Sequence, residues 1–345
     1  MNFRLIGVIG AGNIGIGVVT DLVLHGIGTV VVDISERILK RAQTEILNNI
    51  RFAPLLSKTL PRVTREAALQ RVLFTTDLQD AAGCDFIVEN VTEDWETKKR
   101  VYERLDNVVP PGVCFGANTS CISITQIASA TRRAADVVGL HLMNPVHLKP
   151  TVEVIRGFHT SERTIETLLQ LFSILGKQAI IVQDLPGFVS NRISHLFMNE
   201  AAFVLQDGVA TAENIDLIFK KCFGHKMGPL ETADLIGLDT VMRSLDILYE
   251  SFQDPKYRCC PLLRKLVHAG HLGRKSGRGF YMYPEAPDLA PRAATVHPPA
   301  GAAPPDFAHR ILEKVGQRHE LEECSARDSH GTLQTPSFGI PHPHR

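Results

Sequence analysis

The residues best suited to acid–base chemistry fall between Asn118 and Glu153. A polar cluster, Asn118-Thr119-Ser120, opens this stretch and an amphipathic helical run follows it. An apolar run then ends at His141, and after Asn144-Pro145 a second strand-like segment carries Glu153. A strand ending in histidine, a turn forced by Pro145 and a returning strand with an inward carboxylate would bring imidazole and carboxylate together. Such a pair makes an oriented general base, because the carboxylate fixes the tautomer and raises the basicity of the far nitrogen. The same residues also fit a capped core histidine and an ordinary salt-bridged glutamate, since perturbed acid–base pairs can be structural. The stretch alone leaves both readings open.

The elements that would position this pair begin at the N-terminus. Leu5 to Ile9 is a short apolar run that stops at Gly10-Ala11-Gly12-Asn13-Ile14-Gly15. Apolar residues then recur at helical spacing from Ile14 to His25, and Gly26 supplies a stop. Strand, GxGxxG and helix stand in the order that a dinucleotide site requires. Gly10 permits the tight turn, Gly12 lets the backbone approach a pyrophosphate, and Gly15 lets helix and strand pack together. The helix N-terminus would face the phosphates with free N–H groups and its positive dipole end. The next strand, Thr29-Val30-Val31-Val32, ends in Asp33, whose carboxylate would accept hydrogen bonds from the ribose hydroxyls and repel a 2′-phosphate. NAD is favoured over NADP, although Arg37, one helical turn on, could accommodate that phosphate. Gly10, Gly12, Asn13, Ile14, Gly15 and Asp33 are therefore assigned to a cofactor site. The alternative is a glycine turn used only for packing.

Ser35 can cap the helix that follows, with Ile38, Leu39, Ala42, Ile46 and Leu47 on one face. From Asn48 to Gln70 the periodicity weakens and Pro54 and Pro61 interrupt it. Arg51, Lys58, Arg62 and Arg65 give this segment a basic cast, which reads as a solvated face or as a contact for an anionic group. Val72-Leu73-Phe74 and Asp85 to Glu89 are strands, and the second delivers Asn90 to Glu93 to the carboxyl edge of the sheet, where ligands of open parallel sheets bind. Glu93 and Lys98 are thus candidates for contacts to the nicotinamide half, or an ion pair of little consequence. A helix from Trp95 to Leu105 and a strand ending at Asn118 complete an alternation that predicts a doubly wound α/β sheet of the Rossmann type.

The chain has 345 residues, 44% hydrophobic and 21% charged, with a formal net charge of +0. Two domains are the natural division at this length. A balanced charge offers no electrostatic footprint for nucleic acid or an anionic membrane. The seven cysteines, Cys84, Cys114, Cys121, Cys222, Cys259, Cys260 and Cys324, are scattered without a CxxC pair. They read as reduced thiols in a cytoplasmic protein. The opening residues lack the apolar core of a signal peptide, and no apolar run approaches a membrane span. No metal site is assigned.

A helix from Thr160-Ser161-Glu162 to Gly176 and a last strand at Gln178 to Val182 lead into Asp184-Leu185-Pro186-Gly187, read as a hinge with proline at a helix start. From Val189 to Tyr249 the pattern is helical without a strand signal. The expected division is 1–184 for the cofactor domain, 185–283 for an all-α C-terminal domain and 284–345 for a tail. The Pro/Ala-rich composition of 284–305 suggests an extended linker. Phe307 to Leu321 could form one amphipathic helix, and the ending with His330, His342 and His344 reads as disorder.

Taken in order, these motifs resemble the 3-hydroxyacyl-CoA dehydrogenases. The resemblance is carried by GAGNIG at 10–15, VENVTE at 88–93, NTS at 118–120, HLMNPV at 141–146 and VEVI at 152–155. DLPGFVSNR at 184–192, MGPLE at 227–231 and GRKSGRGFY at 273–281 extend it to about residue 283. The resemblance implies that His141 is the general base at a substrate 3-hydroxyl and Glu153 its orienting carboxylate. It implies that Ser120 hydrogen-bonds the reacting oxygen and that Asn191 holds that oxygen or the His141 ring. It also implies that Glu93, Lys98 and Asn118 contact NAD, and that the helical domain forms a homodimer.

The expected activity is reversible NAD-dependent oxidation of a short 3-hydroxyacyl thioester of CoA. Three segments depart from the family pattern: Leu142-Met143, His147-Leu148-Lys149-Pro150, and Arg51 to Gln70. They lie where the thioester arm is received, so a substrate carried by acyl carrier protein, such as a glyceryl thioester of polyketide extender-unit synthesis, is the alternative. A non-catalytic NAD-binding member with a structural role is a further alternative, and the presence of Ser120, His141, Glu153 and Asn191 argues against it.

Overall fold

The computed structural model describes residues 3–283. Eight strands are Leu5–Ile9 (β1), Gly28–Val32 (β2), Val72–Thr75 (β3), Phe86–Glu89 (β4), Cys114–Asn118 (β5), Val137–His141 (β6), Thr151–Arg156 (β7) and Gln178–Gln183 (β8). The helices around them are Asn13–Leu24 (α1), Glu36–Leu56 (α2), Arg65–Leu69 (α3), Trp95–Val108 (α4), Ile124–Ser129 (α5) and Glu162–Ile174 (α6). Five more follow without a strand: Ser190–Gln206 (α7), Ala212–Cys222 (α8), Pro229–Ile236 (α9), Leu238–Phe252 (α10) and Pro261–His268 (α11).

The strands form one sheet in the order β3-β2-β1-β4-β5-β6-β7-β8. Every neighbouring pair is parallel except β6 and β7. This is the doubly wound α/β arrangement of the Rossmann type, and the order reverses between β1 and β4, where such sheets bind ligands. The central strands read as unbroken apolar runs because both faces are covered. Phe86 and Val88 of β4 enter one core with Ile6 and Val8, while Ile87 enters the other with Phe115, Tyr102 and Leu105. Each fully buried Ile or Phe contributes about 1.5–3 kcal/mol. A third core, with Met198, Leu230, Leu238, Val241 and Leu245, holds the all-α C-terminal domain together.

Three local expectations change. Helix α2 continues through Pro54 to Leu56, because Ile50 and Ala53 are buried and the proline falls in the last turn. Ser35 occupies the N-cap of α2 without capping it through its side chain. Its N–H instead donates to Asp33 Oδ1 at 3.2 Å. Pro186 does not open a helix: residues 186–189 form a turn and α7 begins at Ser190. Pro186 lies in that turn, and Phe188 sits at φ 50° within it.

The loop between β6 and β7 is fastened to the first helix. A Cβ on Gly17 of α1 would lie 2.9 Å from Val146 Cβ, so only glycine lets the loop seat there. The buried ammonium of Lys177 donates to Val146 O and Lys149 O, each at 2.8 Å, and pairs with Asp21 of α1 at 2.9 Å. Six cysteines among the described residues are free thiols. No helix among the described residues is long and apolar enough to cross a membrane. The linker, helix and histidine-rich ending read from 284–345, with Cys324, lie outside the described residues.

Candidate active site

The reversal between β6 and β7 sets His141 directly opposite Glu153 in the register. Their side chains meet, with His141 Nδ1 2.9 Å from Glu153 Oε2. The other oxygen, Oε1, accepts the backbone N–H of Val189 at 2.8 Å and of Ser190 at 3.1 Å. The Ser190 hydroxyl donates to Oε2 at 2.6 Å. Burial works against this carboxylate, but the hydrogen bonds from His141, Ser190 and the two backbone N–H groups outweigh it and hold the pKa down at about 2. An ionised carboxylate only accepts, so Nδ1 carries the hydrogen and Nε2 is left with its lone pair. The Phe188 ring packs edge-on against the imidazole at 5.8 Å between centroids.

Two further polar residues converge here. Asn191 Nδ2 donates to Ser120 O at 3.0 Å, which ties the start of α7 to the turn after β5. That turn is organised by Glu93, whose Oε1 accepts Thr119 Oγ1 at 2.5 Å and the N–H groups of Ser120 and Cys121 at 2.8 and 3.0 Å. Ser120 is half-buried.

Asn118 accepts the Leu142 N–H through Oδ1 at 3.2 Å, and no acceptor for its side-chain N–H groups is found among the described residues. Lys98, read with Glu93 as a nicotinamide contact or an ion pair of little consequence, bonds chiefly elsewhere. It is fully buried, donates to both oxygens of Glu89 at 2.8 and 3.0 Å and to Asn118 O at 2.8 Å, and stands 3.9 Å from Glu93. Burial raises the Glu89 pKa, with Lys98 opposing.

The glycine turn fits a dinucleotide. Gly10, at φ 97°, lies against the backbone of Asn90, where a Cβ would come within 2.8 Å. A Cβ on Gly15 would strike the Gly10 carbonyl, whereas one on Gly12 would meet nothing within 4 Å. Gly12 therefore faces open space in front of α1, and the first N–H groups of that helix have no side-chain cap. Asp33 stands at the end of β2 with Oδ2 accepting Ala11 N–H at 2.9 Å, so it is fixed beside the glycine turn with acceptor capacity to spare. Asn13 and Ile14 open α1, and Asn13 Oδ1 accepts from Arg41 at 3.2 Å.

Sequence reasoning missed Ser190, which a serine between two site-flanking apolar and amide residues does not announce. It also missed His195, a buried imidazole one turn beyond Asn191, whose carbonyl it binds at 2.9 Å. Burial pushes the His195 pKa down, the Asn191 carbonyl opposes, and His141 is near enough to add to the lowering. Among the described residues no group of His, Cys, Asp and Glu is arranged to hold a metal.

The sequence model of "3-hydroxyacyl-CoA dehydrogenase, NAD binding domain" matches residues 5–185, and that of the family's C-terminal domain matches residues 187–283. A Deinococcus radiodurans protein named "Probable 3-hydroxybutyryl-CoA dehydrogenase" is 44% identical over 277 residues, 80% of this chain and 99% of its own length. The 3-hydroxybutyryl-CoA dehydrogenase of Bradyrhizobium diazoefficiens is 42% identical over 81% of this chain and 95% of its own. The crystal structure of (S)-3-hydroxybutyryl-CoA dehydrogenase PaaH1 from Ralstonia eutropha superposes with a TM-score of 0.77 at 38% identity, covering 82% of this chain and all of that one (100%). With NAD-binding and C-terminal family domains in order over one continuous stretch, the chain belongs to the 3-hydroxyacyl-CoA dehydrogenase family and is an NAD-dependent oxidoreductase acting on a CH–OH group.

Proposed function

We propose that the protein oxidises a short 3-hydroxyacyl-CoA to the 3-oxoacyl-CoA, reversibly, with His141 as general base. The observation that carries this reading is the His141–Glu153 contact at 2.9 Å, which commits Nδ1 and leaves Nε2 as the one lone pair able to take a proton. NAD, held at the glycine turn, would supply the hydride acceptor for C3. His141 Nε2 removes the 3-hydroxyl proton, and the imidazolium formed is stabilised by Glu153. Ser120 hydrogen-bonds the reacting oxygen, and Asn191 holds the Ser120 turn and that oxygen in place. In the reverse direction His141 returns the proton.

The same reading gives Gly10, Gly12, Asn13, Ile14 and Gly15 the pyrophosphate, and Asp33 the adenosine ribose. Glu93 and Asn118 line the nicotinamide half, and Lys98 fixes Asn118 from beneath. It divides the chain at 184/185 and places it in the cytoplasm. It also makes the protein a homodimer through the helical domain, where Val209, Ile218 and Phe223 are exposed.

One observation favours a second reading. The end of α2 exposes Phe52, Leu55 and Leu56 beside Arg51, Lys58, Arg62 and Arg65. An apolar and basic ridge of this kind suits an acidic acyl carrier protein delivering a hydroxyacyl thioester. Cofactor absorbance with acetoacetyl-CoA and with the matching carrier-linked substrate decides between them. Turnover confined to the carrier form would overturn the first reading, and turnover with neither would overturn both.

A further inference from the structure

We infer that Ser190 is a positioning residue of the reaction: its hydroxyl bridges His141 and Glu153 and moderates the basicity of the imidazole. The inference rests on His141 being the base. Ser190 Oγ lies 3.0 Å from His141 Nδ1 and 2.6 Å from Glu153 Oε2, while those two atoms are 2.9 Å apart. Three polar atoms thus share two hydrogens, one on the imidazole and one on the hydroxyl. The hydroxyl's hydrogen goes to Oε2, the shortest of the three contacts, and its oxygen is then a second acceptor for the imidazole N–H.

The two carboxylate oxygens do different jobs. Oε1 is clamped by the backbone N–H groups of Val189 and Ser190, whatever side chain stands at 190. Oε2 faces the ring and carries the charge that would stabilise an imidazolium. A hydroxyl donating to Oε2 draws off part of that charge. The groups that face the imidazole are Glu153 from β7, Ser190 and His195 from α7, and Phe188 from the turn before α7. Of these, Glu153 favours the charged ring, His195 when protonated opposes it, and Ser190 acts through Glu153. Removing the hydroxyl leaves the full carboxylate charge on the ring, so the proton is held more tightly.

The test is the pH dependence of kcat/KM for hydroxyacyl-CoA oxidation in the wild type, Ser190→Ala and Ser190→Thr. For Ser190→Ala the acid limb should move up by roughly half to one pH unit. KM should be unchanged and Ser190→Thr should restore the limb. A Ser190→Ala limb that lies on the wild-type curve overturns the inference, as does a Ser190→Thr limb displaced as far as that of the alanine variant. The 15N NMR titration of His141 in the same proteins reads the shift without turnover, should activity be too low to profile. His141→Ala run alongside separates the two levels. Retained turnover there removes the base assignment itself, whereas lost turnover with an unmoved Ser190→Ala limb removes only the role of the serine.

Discussion

Two buried hydrogen-bonded pairs stand at the same edge of the sheet, Lys98–Glu89 at the end of β4 and His141–Glu153 across β6 and β7. Both carboxylates lie deep and both partners are within 3 Å. In the first pair three acceptors, two from Glu89 and the Asn118 carbonyl, take up the ammonium's three hydrogens. The chain itself supplies all three partners. In the second the carboxylate is equally engaged, but the imidazole has another nitrogen that no group among the described residues uses. The pKa directions diverge accordingly. Burial lifts Glu89 despite Lys98, whereas donors overcome burial at Glu153 and hold it at about 2. Burial and pairing do not by themselves distinguish a structural pair from a chemical one; an unspent valence does.

The sharpest way to break that contrast is to remove each partner in turn. His141→Ala should lose at least about 10³ in turnover, the upper part of the range for general bases. NADH binding, followed by fluorescence titration, should survive; turnover within a few-fold of wild type would show that another group takes the proton. Lys98→Met should act on the fold instead, costing about 3–5 kcal/mol in chemical denaturation because it strands a buried carboxylate. A loss below about 1 kcal/mol would mean that Glu89 accepts a proton at little cost.

A smaller effect tests the cofactor end. Asp33→Ala should weaken NAD by about tenfold or more, the equivalent of one charged hydrogen bond of about 1.5–3 kcal/mol, and relax the preference against NADP. Equal NAD affinity in the variant would remove Asp33 from the ribose.

The smallest effect is in acid. Glu153 titrates lower in the folded chain than the ordinary value of 4.5, so its contribution to stability is present above about pH 4.5 and disappears as pH falls towards about 2. Glu153→Gln should flatten the stability profile in that window. An unchanged slope would mean that other carboxylates govern acid unfolding.

The sheet and the central pair were legible because their signals are local. GxGxxG between an apolar run and a helical one, then an acid at the next strand end, needs only 33 residues to be read. His141 and Glu153 are 12 apart, with one proline turn between them. What escaped depends on contacts between distant positions. Ser190 meets Glu153 across 37 positions; Asn191 and Ser120, which meet across 71, are brought together in the sequence only by resemblance. Glu93 stood out as a ligand contact, yet one oxygen is committed to three donors from 119–121, which no spacing rule predicts. Lys98, five positions from Glu93, reads with it as a nicotinamide contact or a minor ion pair, while its hydrogen bonds in the fold go to Glu89 and the Asn118 carbonyl. Pro54 misled for a different reason: a helix with one buried face tolerates a missing N–H near its end.

The seat that Gly17 makes for Val146 gives α1 two neighbours at once. One end of that rod meets the glycine turn, and its flank bears the hairpin that carries the imidazole. Errors in how the dinucleotide sits and errors in where the histidine points then have a common mechanical origin. A bulkier residue at 17 would disturb both together, although it touches neither reactant.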